Sequence, residues 1–241
     1  MAQGGQILGN IRDTLASAVK PGIKTKDLEK MASEMIEKAG GQASFKMVPG
    51  YHWATCINLN EVVVHGIPDE TVIGDGDKVG IDVGLFYKGY HTDTATTVMV
   101  NNNGKSNKFL DTGKLALKTA IGQVKPGKRV FDVSKAIQDT VEASGYSAIR
   151  ALTGHGVGKN LHEEPAIPCF VVGKYEHSQV LQTGMVLAIE VMYNAGVFEV
   201  VYKNSDGWTI ATADGKISGL FEQTVALTQS GPVILTGTEK F

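Results

Sequence analysis

The chain contains one pattern twice. "VKPGIKTKDLEKMASEMIEKAGG" begins at Val19 and "VKPGKRVFDVSKAIQDTVEASGY" at Val124; both open on V-K-P-G and then place an aspartate, a lysine, a glutamate and a glycine at matching positions. The offset is 105 residues from Val19 to Val124 and again from Gly40 to Gly145. A period this long points to two similarly built halves. Each copy reads as a Pro-Gly turn followed by an amphipathic helix that stops at a glycine. Leu28, Met31, Met35 and Ile36 mark the apolar stripe of the first, and Val133, Ile137 and Val141 that of the second. A further helix precedes each copy, carried by Ile7, Leu8, Ile11 and Leu15 in one half and by Leu115, Ala116, Ala120 and Ile121 in the other.

Strand-like segments with β-branched alternation follow each helix pair: "TCINLNEVVVHG", "KVGIDVGLFYKG" and "YHTDTATTVMV", then "MVLAIEVMYN", "VFEVVYKN", "GWTIATADG" and "LFEQTVALT". Two helices and then strands, twice over, argue for an α+β fold. Helices cover one face of a mainly antiparallel sheet, and an approximate two-fold relates the halves. No linker of disordered composition interrupts the chain, so residues 1–241 read as a single domain of two pseudo-symmetric halves, about 1–105 and 106–241. A chain of this length with 42% hydrophobic residues can bury a sizeable core.

Composition narrows the partners. The formal net charge is −2 and the basic residues are scattered, so there is no electrostatic footprint for nucleic acid or an anionic membrane. No apolar run approaches the ~18 residues of a membrane span, and the start lacks the pattern of a signal peptide; a cytoplasmic protein is expected. Cys56 and Cys169 sit in no CxxC pair and are read as reduced thiols. The expected partner is a small or peptidic molecule.

The strands place acids where acids are costly. "KVGIDVG" carries Asp82 and "MVLAIEV" carries Glu190, each inside an apolar run; "YHTDTATTVMV" carries Asp93 and "LFEQTVALT" carries Glu222, each followed by a threonine and more apolar residues. A hairpin turning through Lys88 and Gly89 pairs Gly84 with Asp93 and leaves Asp82 and Asp93 as diagonal neighbours on one face, on the order of 7–8 Å between backbones. Four carboxylates so close cannot all ionise away from water unless cations or protons neutralise them. Two divalent metals roughly 3.5–4 Å apart would do so. His155, between glycines in "GHGVG", is a candidate fifth ligand, the glycines allowing close backbone approach. Carboxylates with a single imidazole suit Mn(II), Fe(II) or Co(II), and Zn(II) is also compatible.

The set "NEVVVHGIP", "IDVGLFYKGYHTDTATT", "GHGVGKNLHEEP", "AIEVMYNAG", "DGWT" and "FEQTVALT" closely resembles the type I methionine aminopeptidases of the pita-bread fold, over about residues 5 to 235. The resemblance implies a metal-dependent exopeptidase that removes N-terminal methionine from peptides and nascent proteins by attack of water activated between two metal ions. It implies Asp82, Asp93, His155, Glu190 and Glu222 as ligands, Asp93 and Glu222 bridging, with Glu190 also shuttling a proton. His65 and His162 are implied as non-ligand histidines facing the scissile peptide, and Tyr51, Cys56 and Trp208 as the lining of the methionine pocket. Glu163 and Glu164 are read as supporting residues. The family further suggests a monomer acting on nascent chains in association with the ribosome.

Four residues depart from the family pattern. Val191 stands where proline is usual, Gln223 where histidine is common, Phe45 in place of a cysteine and Leu161 in place of an aromatic, which puts pocket shape and metal affinity in question. Two rival readings share the motifs. A proline-specific aminopeptidase or dipeptidase would keep the five ligands, but usually carries a large N-terminal domain and a different histidine motif. A non-catalytic binding protein would typically have lost ligands.

Overall fold

A computed structural model describes residues 1–101 and 107–237, and the expected boundary between the halves, near residues 105 and 106, lies outside the described residues. In the first half, helices α1 (Ala2–Ala18) and α2 (Thr25–Lys38) precede β1 (Gln42–Ala43), β2 (Thr55–Leu59), β3 (Val62–Val64), β4 (Lys78–Tyr87) and β5 (Tyr90–Met99). In the second, α3 (Lys108–Ile121) and α4 (Val130–Ala143) precede β6 (Ser147–Ala148), β7 (Thr153–Gly156), β8 (Glu163–Pro168), β9 (Val186–Asn194), β10 (Val200–Tyr202), β11 (Ile210–Thr212), β12 (Ser218–Thr228) and β13 (Gly231–Ile234).

The repeat is structural. Helices α2 and α4 start 105 residues apart and end 105 residues apart, and so do the short strands β1 and β6. Each helix is entered through one bond: Lys24 N–H donates to Asp27 Oδ2 at 3.0 Å, and Arg129 N–H donates to Asp132 Oδ2 at 2.8 Å. These satisfy a backbone donor and put negative charge at a helix N-terminus. Gly40 and Gly145 follow each helix with φ of 73° and 87°, the left-handed geometry of a helix stop.

The main sheet runs β1-β4-β5-β12-β9-β7-β8, with β2 and β6 beside β4 and β9 and β13 beside β12; every pairing is antiparallel. Alternation decides its faces. Val79, Ile81, Val83 and Leu85 of β4 pack with Leu8, Leu15 and Leu28 in one core cluster, and Leu187, Ile189 and Val191 of β9 pack with Ala116, Val133 and Ile137 in another. Each helix pair thus covers its own half of the sheet from the same side, as expected. A second sheet, β10-β11-β3, joins a strand of the first half to two of the second.

Some details differ from the sequence reading. Leu115 is 54% exposed rather than buried; Phe109, Leu110 and Leu117 join the expected Ala116, Ala120 and Ile121 in the α3 stripe. The glycine-rich run around His155, to which the sequence reading assigned no strand, forms β7. A Cβ at Gly154 would fall 2.5 Å from the Ala188 carbonyl oxygen, so its glycines let β7 lie close against β9. The Lys88–Gly89 hairpin has the expected register, with Gly84 opposite Asp93. Both turn residues have positive φ, 50° and 85°, as a type I′ turn requires.

Candidate metal centre

On the face away from the helices, strand register assembles two rows. Asp82 lies opposite Ala95, Ala95 opposite Glu222, and Glu222 opposite Glu190, so three acids share one row across β4, β5, β12 and β9. Two residues along, Gly84 faces Asp93, while Thr224 faces Ala188 and Ala188 faces His155. The intervening Ala95 and Ala188 have small side chains, and Gly84 lets Phe45 and Ser44 pack against the sheet, where a Cβ would fall 2.8 Å from each. All ten candidate residues, Tyr51, Cys56, His65, Asp82, Asp93, His155, His162, Glu190, Trp208 and Glu222, line one cavity of about 620 Å³.

The cluster is tight. One ligand atom from each of Asp93, His155 and Glu222 lies within 4.8 Å of the other two, and His155 Nε2 is 3.6 Å from Glu190 Oε1. Asp93 and Glu222 are 4% and 2% exposed. Burial, and then the neighbouring acids, push Asp82, Asp93, Glu190 and Glu222 well above the usual carboxylate range.

Donor chemistry fits divalent cations. Asp82 Oδ1 and Glu222 Oε1 are buried without a hydrogen-bond partner, a costly state that a cation would relieve. His155 Nδ1 lies 2.7 Å from the Gly156 carbonyl oxygen, which can only accept; Nδ1 therefore carries the proton and Nε2 turns its lone pair toward the acids. Burial pulls His155 down to about 4, so the ring is neutral at pH 7 and available as a ligand.

Beside the acids lies an apolar pocket. Phe45, Tyr51, Cys56 and Leu161 form one buried cluster, with Trp53 and Trp208 packed against it. Tyr51 meets Trp208 edge-on at 5.1 Å and Phe45 at 6.3 Å, and its hydroxyl donates to the Thr55 carbonyl at 2.9 Å. Both pocket departures noted in the sequence, Phe45 and Leu161, therefore sit in this wall. Glu29 of α2 fixes the approach to the pocket by accepting from the backbone N–H groups of Ala54 and Thr55. That role had no sequence signal, because an acid within an amphipathic helix reads as a solvated one.

His65 ends β3 with a positive φ of 57° and reaches Trp208 at 6.2 Å between ring centroids, while His162 stands edge-on to His155 at 4.5 Å. Burial lowers both His65 and His162 below the ordinary imidazole value, keeping them neutral hydrogen-bonding groups.

The model of metallopeptidase family M24 matches residues 1–229. The chain belongs to this family. Among curated M24 relatives, methionine aminopeptidase 1 of Bacillus subtilis is 41% identical over 237 residues, covering 98% of this chain and 94% of that protein. The methionine aminopeptidase of Aquifex aeolicus is 42% identical over 239 residues, covering 96% and 92%. The crystal structure of methionine aminopeptidase from Thermotoga maritima superposes with a TM-score of 0.92 at 38% identity, over 98% of this chain and 94% of that one. A prolidase from Pyrococcus furiosus shares the fold alone, with a TM-score of 0.76 at 22% identity over 99% of this chain and 63% of the prolidase. The architecture is the pita-bread fold of both groups.

Proposed function

We propose that this M24 chain is a methionyl aminopeptidase, a metal-dependent hydrolase that removes methionine from the free N-terminus of peptides and nascent chains. The observation that carries this reading is the juxtaposition of a buried acid cluster, two of its oxygens unpartnered, with an aromatic pocket in the same cavity. Asp82, Asp93, His155, Glu190 and Glu222 would hold two divalent ions drawn from Mn, Fe, Co or Zn. Bound there, the ions supply Lewis acidity toward the attacking water and the peptide carbonyl.

The chain's own residues do the rest. Glu190 takes a proton from water at a carboxylate oxygen and returns it to the leaving amine. His162 hydrogen-bonds the carbonyl side of the scissile bond and His65 its nitrogen, both as neutral rings. Tyr51, Cys56 and Trp208 receive the unbranched thioether side chain, where sulfur–aromatic contact adds on the order of 0.3–1.5 kcal/mol to burial.

The same reading takes residues 1–241 as one catalytic domain, supported by the pairing of β3 with β11 and of β5 with β12 across the halves. It also takes the enzyme as a cytoplasmic monomer that meets nascent chains near the ribosome. Among the described residues no helix is long and apolar enough to cross a membrane.

The test is cleavage of Met-Ala-Ser against Ala-Pro-Ala by protein stripped of metal and reloaded with Mn(II) or Co(II). Release of methionine from the first peptide alone, dependent on metal, is expected. Preference for Ala-Pro-Ala would move the chain to the proline-specific members, and no cleavage of either peptide would make it a binding protein. Glu190→Gln should lower kcat by roughly 10²–10⁴-fold with the fold intact.

A further inference from the structure

The two halves of the main sheet meet where β5 faces β12, and that seam has a single residue pair in regular register, Glu222 with Ala95. Elsewhere threonine hydroxyls stand in for backbone partners. Asp93 N–H donates to Thr224 Oγ1 at 2.9 Å and that hydroxyl donates back to the Asp93 carbonyl at 2.7 Å. Thr97 Oγ1 likewise accepts from Leu220 N–H at 2.9 Å and donates to its carbonyl at 2.7 Å. A hydroxyl interposed between N–H and C=O holds two backbones farther apart than a direct bond does. The spacing of Asp93 from Glu222 is therefore set by side chains.

One cation grips this seam from behind. Arg12 of α1 is 6% exposed and lies on the helix side of the sheet. Its Nη1 donates to Thr94 Oγ1 at 2.8 Å, and Thr94 Oγ1 in turn donates to the Glu222 carbonyl at 2.9 Å. The same nitrogen reaches the Thr236 carbonyl at 3.3 Å and, with the Gln223 amide oxygen turned toward it, Gln223 Oε1 at 2.9 Å. Thr236 Oγ1 accepts from Thr224 N–H at 3.0 Å, and Arg12 Nε and Nη2 bind Asp13 at 2.8 and 2.7 Å, which fixes the plane of the guanidinium. Gln223 is one of the four departures from the family pattern, and this contact gives it a use.

We propose that Arg12 is a positioning residue of the metal centre: through Thr94, Gln223 and Thr236 it fixes the spacing of β5 and β12 and so the separation of Asp93 from Glu222. Arginine suits the task because its planar fork meets several acceptors at fixed angles, which a lysine ammonium does not. The proposal rests on the reading that these acids hold divalent ions.

The experiment is titration of metal-stripped protein with Mn(II), followed by calorimetry, a readout that needs no turnover. Arg12→Met should weaken Mn(II) binding by at least about tenfold, in the range seen when groups supporting a ligand are removed. Gln223→Leu, which leaves Arg12 and the rest of its contacts in place, should weaken it by about threefold or more, and it carries the test if Arg12→Met fails to fold. Arg12→Lys should not restore wild-type affinity. Wild-type Mn(II) affinity in Gln223→Leu, or in a folded Arg12→Met, would overturn the positioning role whatever happens to thermal stability. A wild-type protein that binds no Mn(II) would overturn the metal reading as well.

Discussion

Helices α2 and α4 begin and end 105 residues apart, stop at glycines of positive φ and are entered through the same aspartate bond, whereas the strands they cover diverge in register, connection and chemistry. In the first half β4 and β5 are joined by a two-residue turn and their acids are staggered, Asp82 opposite Ala95 and Asp93 opposite Gly84. In the second, β9 and β12 are separated by a long excursion that builds β10 and β11, and Glu190 faces Glu222 directly. The flanking strands differ again: β2 sets Cys56 opposite Asp82, while β7 sets His155 opposite Ala188. Covering a sheet is the task that both helix pairs share, and the same solution serves twice. The site has to grip a peptide, which has a direction, so His65 stands beside the apolar pocket at Trp208 while His155 and His162 stand together at the other edge.

The largest expected effect tests whether the halves meet in chemistry. Asp93→Asn and Glu222→Gln, one from each half, should each lower kcat/KM for Met-Ala-Ser on the order of a thousandfold, about 4 kcal/mol of barrier. Metal content measured on the same proteins should fall in both. If one acid proves dispensable while the other is essential, the centre belongs to a single half and the comparison fails.

A second effect concerns Lys78, a first-half residue whose place in β9, four positions before the acid, is held by Val186. Lys78 is 1% exposed and donates to the carbonyls of Asn58 and Val62 and to Ser218 Oγ of β12, at 3.0, 2.9 and 3.2 Å. No carboxylate lies within ion-pair distance among the described residues. Burial pulls it down to about 7 from an ordinary 10.5. Between those values the unfolded chain keeps the proton and the folded chain releases it, so this group adds stability as pH rises from 7 toward 10.5, and its charged form weighs against folding below 7. Replacing it with methionine removes that dependence. The stability of Lys78→Met relative to wild type should fall by about 2–3 kcal/mol between pH 7 and 9, at about 1.4 kcal/mol per unit. Urea unfolding at the two pH values measures it, and parallel profiles would show that the lysine stays charged, held by its three acceptors.

The pocket edge predicts a smaller change. Trp208→Ala should reduce the preference for methionine over alanine at the substrate N-terminus by about tenfold, within the 1–3 kcal/mol that an apolar pocket contributes. On the proposed reading Trp208 would meet the substrate side chain and not the reacting bond, so the effect should appear mainly in KM. A fall in kcat at unchanged KM would instead tie Trp208 to the placing of His65, its edge-on neighbour.

Much of this is legible in the sequence, and the reasons are local. The helix repeat could be read because caps, stops and apolar spacing are written within a few residues. The Asp82–Asp93 relation could be read because a two-residue hairpin fixes register by counting. Which row Glu190 and Glu222 occupy could not, since the excursion between β9 and β12 leaves register to tertiary pairing. His155 stands out in the sequence through its motif, but its strand does not, because glycines in a strand look like a turn until a neighbouring backbone explains them. In the sequence Arg12 and Lys78 are simply two of the scattered basic residues. Burial of a cation depends on acceptors 82 to 224 residues away, on Thr94 and Thr236 for the one, and at Ser218, 140 residues away, for the other.

The smallest effect asks how alike the repeated parts are. Asp27→Ala and Asp132→Ala each remove the side chain that accepts from the N-terminal backbone N–H of its helix, and each should cost about 1 kcal/mol of stability. Asp132 has more partners: Lys128 Nζ lies 3.1 Å from its Oδ1 and Tyr175 Oη 3.5 Å from its Oδ2, whereas Asp27 makes its one capping bond to Lys24. Partly exposed ion pairs contribute about 0.2–1 kcal/mol, so Asp132→Ala should cost more than Asp27→Ala by a few tenths, and added salt should narrow the gap. Chemical unfolding of the two variants at low and high ionic strength reads both quantities. Equal costs at every salt concentration would mean that the Lys128 pair contributes nothing and the two caps are energetic duplicates. A much larger loss from Asp27→Ala would show that the first half, whose β4–β5 hairpin carries half of the acids, is the less stable of the two.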